Sequence, residues 1–488
     1  MPKSTVQESL LHTSFKQQIQ LKKLKDFLSK IHFSDSEHQE YAAFSISIPS
    51  VDLLAVIEQD NHKDGFQYYW EKPIDEFSIA AAGEFERISS KGESRFKDSS
   101  SKGKEILNRV HHLVGVKHQN AVVHLFGGFS FFDENQSSAW HSYQSSSFTL
   151  PEWMIIREGN SCILTFLIKI DERSSFEKSY ERILFRLSEL EHITSAEQYS
   201  LNPEIDPEFK LNVPGSDSKE YLKWIETIHK AKDAIQEGEF EKVVLARQLR
   251  IELNKKIKDT HILNRLRFQY PDCYSFLIRQ DSESSFIGST PERLASFNSK
   301  FVLTEGLAGS ISRGKTASED AILEYNLLHS NKDLHEHDIV LEAIEENLEH
   351  YSDDVRHPKV PLVKKLSNVQ HLYTPITAKI RDGVSRTEVL KTLHPTPAVG
   401  GFPRENAVAF IQEHENFNRG WYASPIGWIN AHGNGEFIVA IRSGLIKNDE
   451  VRFFAGCGIV EDSNPEKEWE ETNLKFIPML TALEYAGT

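Results

Sequence analysis

Apolar residues recur with helical spacing in a few segments of the chain and alternate with polar residues, or run together, in many more. The pattern predicts sheets covered by helices. Leu21, Leu24 and Leu28, with Phe27 beside them, give Leu10 to about Ile31 helical character. From Tyr41 to about Leu150, strand-like runs such as Ala43 to Ile48 and Ala121 to Phe126 alternate with Ser/Gly/Lys-rich loops, Ser89 to Lys102 among them. Gly127-Gly128-Phe129-Ser130-Phe131-Phe132 reads as a tight strand junction with core aromatics, and Cys162 to Leu167 as a further buried strand. Glu197 to Lys219, with three prolines and many acids, reads as a linker. An amphipathic helix follows from Tyr221 to Ile235 through Trp224, Ile225, Ile228 and Ile235, then a strand from Lys242 to Leu253. Short strands are predicted at Cys273 to Arg279 and Ser285 to Ile287, a helical stretch from Ser318 to about Tyr351, and a buried strand at Val451 to Phe454. Pro465 suits the first turn of a last helix that Ser463 or Asn464 can cap.

On that last helix Glu468, Glu471 and Lys475 share a face beside an apolar stripe of Trp469, Thr472, Phe476, Met479 and Leu483. Alone, such an acidic pair is more often a solvated face than a site. Just before it, Gly456-Cys457-Gly458 lets the backbone approach a ligand closely. A second acidic pair, Asp333 and Glu336, lies in the earlier helical stretch; His335 and His337 flank Glu336 but point to opposite sides of a helix and cannot close on one zinc ion. Two all-oxygen pairs on separate helices suit Mg²⁺ instead. Lys242 shares strand parity with Val244 and Ala246, away from the bulkier face of Val243, Leu245, Leu249 and Ile251: a surface lysine, or a general base if enclosed near other cations. Glu292, beyond the bend Gly288-Ser289-Thr290-Pro291, is either a site carboxylate or a turn glutamate paired with Arg293, and Thr304 to Ser310 offers another glycine-bearing loop.

Composition narrows the classes. With 39% hydrophobic and 26% charged residues, the 488-residue chain is globular rather than disordered. A formal net charge of −16 argues against nucleic acid as ligand, so an anionic substrate would need local cations or a metal. No run approaches the ~20 apolar residues of a membrane span, and three widely spaced cysteines suggest free thiols in a cytoplasmic protein.

The motifs Lys242-Val243-Val244-Leu245-Ala246-Arg247, Gly288-Ser289-Thr290-Pro291-Glu292, Leu307-Ala308-Gly309-Ser310, His371-Leu372-Tyr373-Thr374-Pro375, His394-Pro395-Thr396-Pro397-Ala398, Ala440-Ile441-Arg442 and the Gly456 to Lys475 stretch, in this order, resemble the chorismate-utilising enzymes, and among them most the isochorismate synthases. The match runs from about Tyr221 to the C-terminus; the region before residue 200 resembles the less distinctive N-terminal half, notably at Phe126 to Phe131. The resemblance implies an α+β fold of large antiparallel sheets flanked by helices, residues 1–200 and 220–488 packing as one unit with the site between them.

It also implies that Glu336 and Glu471 hold Mg²⁺, with Asp333 and Glu468 nearby through water. Arg442 and Tyr422 would take the enolpyruvyl carboxylate, and Gly309, Ser310, Gly456, Gly458 and Lys475 would line the dianion together with His371 and Ala398 of the matching motifs. The implied reaction adds water at C2 of chorismate and expels the C4 hydroxyl, an isomerisation, with Lys242 as base and Glu292 as acid, each with its pKa moved toward neutrality. Lys242 stands where ammonia-using relatives usually have glutamine, and Ala308 where aminodeoxychorismate synthases have a nucleophilic lysine, so no glutaminase subunit is expected and a monomer suffices. Salicylate synthases share the Lys/Glu pair and then eliminate pyruvate; a catalytically silent family member is the other alternative. Whether the product feeds menaquinone, a siderophore or salicylate stays open.

Overall fold

The computed structural model describes residues 22–23, 25–26, 40–60, 65–113, 116, 118–134, 137–170, 176–194, 218–253, 257–298, 300–365 and 369–486. The helix expected from Leu10 to Ile31 and the linker expected from Glu197 to Lys219 lie almost wholly outside them.

Two sheets make up the body, and each takes strands from both halves of the chain. In spatial order the larger, twelve-stranded sheet runs Gly401–Phe402, β1 (Lys242–Glu252), β5 (Glu450–Ile459), Ser443–Lys447, Ser284–Thr290, Tyr274–Arg279, Gln67–Lys72, Phe77–Ala82, Trp153–Glu158, Ser161–Ile170, Glu40–Ile48, Val110–Leu113. All its pairs are antiparallel except the last, which is parallel. The smaller, ten-stranded sheet carries β2 (Phe301–Ser312), β3 (Leu362–Lys365) and β4 (Val369–Ile380) at one side, and continues through Pro425–Asn430 to His124–Phe129 of the first half. Tyr274–Arg279 against Gln67–Lys72 and Pro425–Asn430 against His124–Phe129 are therefore the seams between the halves.

Burial follows from the alternation. The inner faces supply a core between the sheets in which Tyr68 packs at a tilt on Phe126, and Trp140 meets Phe286 edge to face and stacks on Phe454. A second core lies on the outer face of the larger sheet under the helices Leu53–Gln59 and Asp259–Gln269 and under α3 (Pro465–Ala486). In α3 the expected stripe is buried, from Trp469 through Thr472, Phe476 and Met479 to Leu483. Asn464 caps it, its Oδ1 accepting from the Lys467 amide at 2.9 Å, whereas Ser463 turns back to the Val460 amide.

Three local expectations need correction. Much of the Ser89 to Lys102 loop is the start of the helix Arg95–Asn108, which buries Phe96, Ser99, Gly103 and Ile106 although its Ser- and Lys-rich sequence is a poor helix former. Thr304 to Ser310 is not a loop but the middle of β2, bulged between Ala308 and Ser310 where Gly309 takes φ +71°. The Ser318 to Tyr351 stretch is two helices, Ala317–Leu328 and α2 (Asn331–Glu349), parted at Ser330, which caps α2 through the Asp333 amide.

The Gly127-Gly128 junction is tighter than the pattern alone suggests. A Cβ on Gly127 would stand 1.8 Å from the Ser147 carbonyl oxygen on the neighbouring strand. Gly127→Ala is expected to lower unfolding free energy by about 3 kcal/mol or more, measured by urea denaturation; a change below about 0.5 kcal/mol would contradict the close approach.

Candidate active site

β1 and β5 lie side by side, with Val244 opposite Gly458 and Ala246 opposite Gly456. The missing side chains leave room that neighbours fill. A Cβ on Gly458 would meet Lys242 Cε at 2.8 Å, and one on Gly456 would stand 3.2 Å from the Tyr422 hydroxyl. Lys242 thus lies across Gly458, and buried Tyr422 faces Gly456. The Lys242 ammonium is largely enclosed and bonds Glu336 Oε1 at 2.7 Å, so its immediate partner is a carboxylate.

From the helix behind β5, Lys475 Nζ donates to the Gly456 carbonyl at 2.8 Å and pairs with Glu471 at 2.8 Å. Glu468 sits one turn earlier, its carboxyl pushed above the ordinary range by burial, with Glu471 adding to the effect and a hydrogen bond from Ser463 opposing it. Helix α3 is tied to β1 by Arg247, whose guanidinium stacks 3.6 Å from the Trp469 ring centroid and donates to Thr472 Oγ1 at 2.7 Å.

The smaller sheet contributes the opposite wall. At the β2 bulge a Cβ on Gly309 would come within 3.0 Å of Asp333 Cβ on α2, so only glycine allows that approach. Ser310 bonds His371 of β4, Oγ to Nδ1, at 2.7 Å. Burial pushes the His371 imidazole down to about 4, and the Arg442, Lys475 and Lys364 charges add to the shift while a hydrogen bond with the Gly309 backbone opposes it. Arg442 itself takes φ +48°, its carbonyl bound by the Ser289 amide at 3.0 Å, and among the described residues its guanidinium has no hydrogen-bond or ion-pair partner. Ala398 is half-buried on the segment that leads to the Val399 carbonyl.

Glu292 is not paired with Arg293, which turns instead to Glu305 and Glu436. Enclosure raises its carboxyl to about 7 from an ordinary value near 4.5; Glu305 adds to the rise while Lys364 and Lys475 oppose it. Some of its surface reaches solvent, yet protein closes around the carboxyl, as at the wall of a cleft. Lys364 was not singled out by the sequence. It stands opposite His371 on β3, pairs with buried Glu305 at 2.8 Å and reaches the Pro291 carbonyl at 3.4 Å. A lysine in a short edge strand carries no motif, and only the pairing with β4 brings it to Glu292.

The arrangement therefore has an enclosed lysine, a carboxylic acid that is half protonated near neutral pH, and cations from four separate segments: Lys364, Arg442, Lys475 and Lys242. Carboxylates of α2 and α3 flank Gly458 and Gly456, Glu336 through Lys242 and Glu471 through Lys475. Among the described residues no three His, Cys, Asp or Glu groups close on one point as a metal cage. The donor set nonetheless fits Mg²⁺, which commonly takes one or two protein carboxylates and completes its shell with water and substrate oxygens.

Comparison with known proteins agrees with this architecture. The family model described as chorismate binding enzyme matches residues 26–484. The chain is 33% identical over 467 residues to the isochorismate synthase MenF of Bacillus subtilis, covering 94% of this chain and 97% of that protein. It is 35% identical over 455 residues to the salicylate biosynthesis isochorismate synthase of Pseudomonas aeruginosa, covering 91% and 90%. Among solved structures it is similar to MenF, the menaquinone-specific isochorismate synthase of Escherichia coli, with a TM-score of 0.73 and 26% identity over 95% of this chain and all of that one.

The raised Glu292 carboxyl has a stability consequence independent of turnover. Because its folded pKa lies above its unfolded value, the contribution of protonated Glu292 is full below about pH 4.5 and is lost as pH rises through about 7. Glu292→Gln should accordingly melt above wild type at pH 8 and lose that advantage at pH 4.5, by calorimetry at both values; an advantage that is equal at both would contradict the enclosed-acid assignment.

Proposed function

The chain belongs to the chorismate binding enzyme family, and on that footing we propose that it is an isochorismate synthase, adding water at C2 of chorismate and releasing the C4 hydroxyl. The observation that carries the proposal is the lysine at 242, enclosed over Gly458 in the cleft that Glu292 borders, where the ammonia-using branch usually has glutamine. Water is then the nucleophile, and no glutaminase subunit is needed.

Each residue has a task in this reaction. Lys242, once neutral, takes a proton from the water at Nζ as its oxygen bonds C2. Glu292, protonated in a good fraction of molecules at neutral pH, gives its proton to the departing C4 hydroxyl. The ring double bonds shift between the two, so atoms balance with water entering on one side and leaving on the other. A proton donor and acceptor poised near neutrality are what such paired transfer requires. Arg442 and Tyr422 are assigned to the enolpyruvyl carboxylate; Gly309, Ser310, His371, Ala398, Gly456, Gly458 and Lys475 line the remainder. His371, kept neutral by burial and its cationic neighbours, can hydrogen-bond the substrate without competing for its charge.

Glu336 and Glu471 would hold Mg²⁺ with Asp333 and Glu468 outside them. When bound, the ion supplies positive charge against the ring carboxylate and fixes the ring's orientation. We also assign the enzyme to the cytoplasm as a monomer, a compartment suited to its three buried free thiols; no helix among the described residues is long and apolar enough to cross a membrane.

Purified protein with Mg²⁺ is expected to convert chorismate to isochorismate without ammonia, followed by product chromatography. Pyruvate release would make it a salicylate synthase, and no turnover would favour a silent family member. Lys242→Ala and Glu292→Gln should each abolish turnover while chorismate still binds by calorimetry; near wild-type rate in either removes the acid/base assignment. For the metal, Glu471→Ala should raise the Mg²⁺ concentration needed for half-maximal rate at least about tenfold. Glu466→Ala, exposed on the same helix, should leave it unchanged.

A further inference from the structure

Beyond the residues assigned above, a buried ion pair joins Glu415 and Arg419, whose side chains are 3% and 0% exposed. We propose that these two are positioning residues for Lys242, their side chains standing in for a strand along the free edge of β1. The proposal rests on the reading of Lys242 as the base.

The edge of β1 that faces away from β5 has very little partner backbone. The strand Gly401–Phe402 pairs only with Lys242 and Val243. Past it, the Val244 amide donates to the Gly400 carbonyl at 3.0 Å, and the backbone partners then end. The next two edge groups are met by side chains: the Val244 carbonyl accepts from Arg419 Nη2 at 2.7 Å, and the Ala246 amide donates to Glu415 Oε1 at 2.7 Å. The pair is itself bidentate, Nε to Oε2 at 2.8 Å and Nη2 to Oε1 at 2.5 Å. A donor and an acceptor locked side by side satisfy the two edge groups that the backbone of a neighbouring strand would otherwise meet.

The remaining arm of the guanidinium reaches further. Arg419 Nη1 donates to the Val399 carbonyl at 2.9 Å, one residue past Ala398, and the guanidinium lies 4.3 Å from the Phe131 ring centroid and 5.9 Å from that of Tyr422. A single charged group therefore sets the register of the Lys242 strand, the Ala398 segment and the Tyr422 ring. As a stabilising device a buried ion pair is poor, since desolvation offsets most of the attraction. As a device for geometry it is effective, because a planar fork with its carboxylate allows one arrangement. Displacement of a reacting group by about 1 Å can cost about a hundredfold in rate, and Lys242 lies only two residues from the Val244 carbonyl that Arg419 holds.

The test uses the full chain and two conservative variants. Arg419→Lys keeps the charge but cannot reach both carbonyls; Glu415→Gln keeps an oxygen for the Ala246 amide. Turnover of chorismate with Mg²⁺ is measured as kcat and KM separately, together with hydrogen–deuterium exchange of the peptide 241–248. Arg419→Lys is expected to lower kcat at least about tenfold with KM changed less than about threefold and faster exchange in 241–248, and Glu415→Gln to fall between it and wild type. A kcat within about twofold of wild type, or a loss of kcat with unchanged exchange, overturns the proposal. So does a failure of both variants to fold, which would make the pair a stability element; if only Arg419→Lys fails, Glu415→Gln decides by the same two readouts. Failure of the functional reading looks different: wild type would not convert chorismate, or Lys242→Ala would still turn over.

Discussion

The antiparallel pairing of β1 with β5 is the contact on which the rest of the site depends. It sets Lys242 across Gly458 and presents Gly456 to the Tyr422 hydroxyl, and α3 follows β5 after one short turn. Any side chain at Gly458 would occupy the space of the Lys242 stem. Arg247, further along β1, stacks on Trp469 and so adds a second tie to the same helix. Helix α3 is thus held to the lysine strand through Trp469 and Thr472 and to β5 through Lys475, although β1 and α3 are more than two hundred residues apart in the chain.

Around that pairing the molecule solves an electrostatic problem. Its net charge is −16, yet the cleft must accept a dianion. Lys364, Lys475, Arg442 and Lys242 arrive from four different segments, and several are restrained by carboxylates: Glu305 for Lys364, Glu471 for Lys475, Glu336 for Lys242. Arg442 is the exception among the described residues, its guanidinium left free of such a partner. Enclosure by this wall is what holds Glu292 partly protonated, against the pull of two neighbouring lysines. The site attracts an anion and still keeps its acid protonated because burial of the carboxyl, with Glu305 beside it, outweighs the pull of Lys364 and Lys475.

Much of this was legible in the sequence because it lies in single elements. The apolar stripe of α3, the parity of Lys242 and the glycines of β5 are properties of short windows, and the ordered motifs pointed to the family. What was not legible depends on pairing between distant segments. The helix Arg95–Asn108 looked like a loop because Ser99, Ser100 and Ser101 have weak helix propensity, and its packing against Leu125 and Ile88 outweighs that. Thr304 to Ser310 looked like a loop because its glycines serve a bulge and the approach of α2, features that a strand in isolation does not need. Lys364, Glu415 and Arg419 sit in unremarkable local sequence and gain their places only through β4 and the edge of β1.

The central claim is that solvent water, deprotonated by Lys242, becomes the C2 hydroxyl of the product while the C4 oxygen is discarded. Turnover of unlabelled chorismate in ¹⁸O-enriched water, followed by mass spectrometry of the isochorismate, addresses it directly. One heavy oxygen per product molecule, carried on C2, is the expected result. Product without label would mean that the hydroxyl migrates within the substrate, and would contradict Lys242 as the base and Glu292 as the acid.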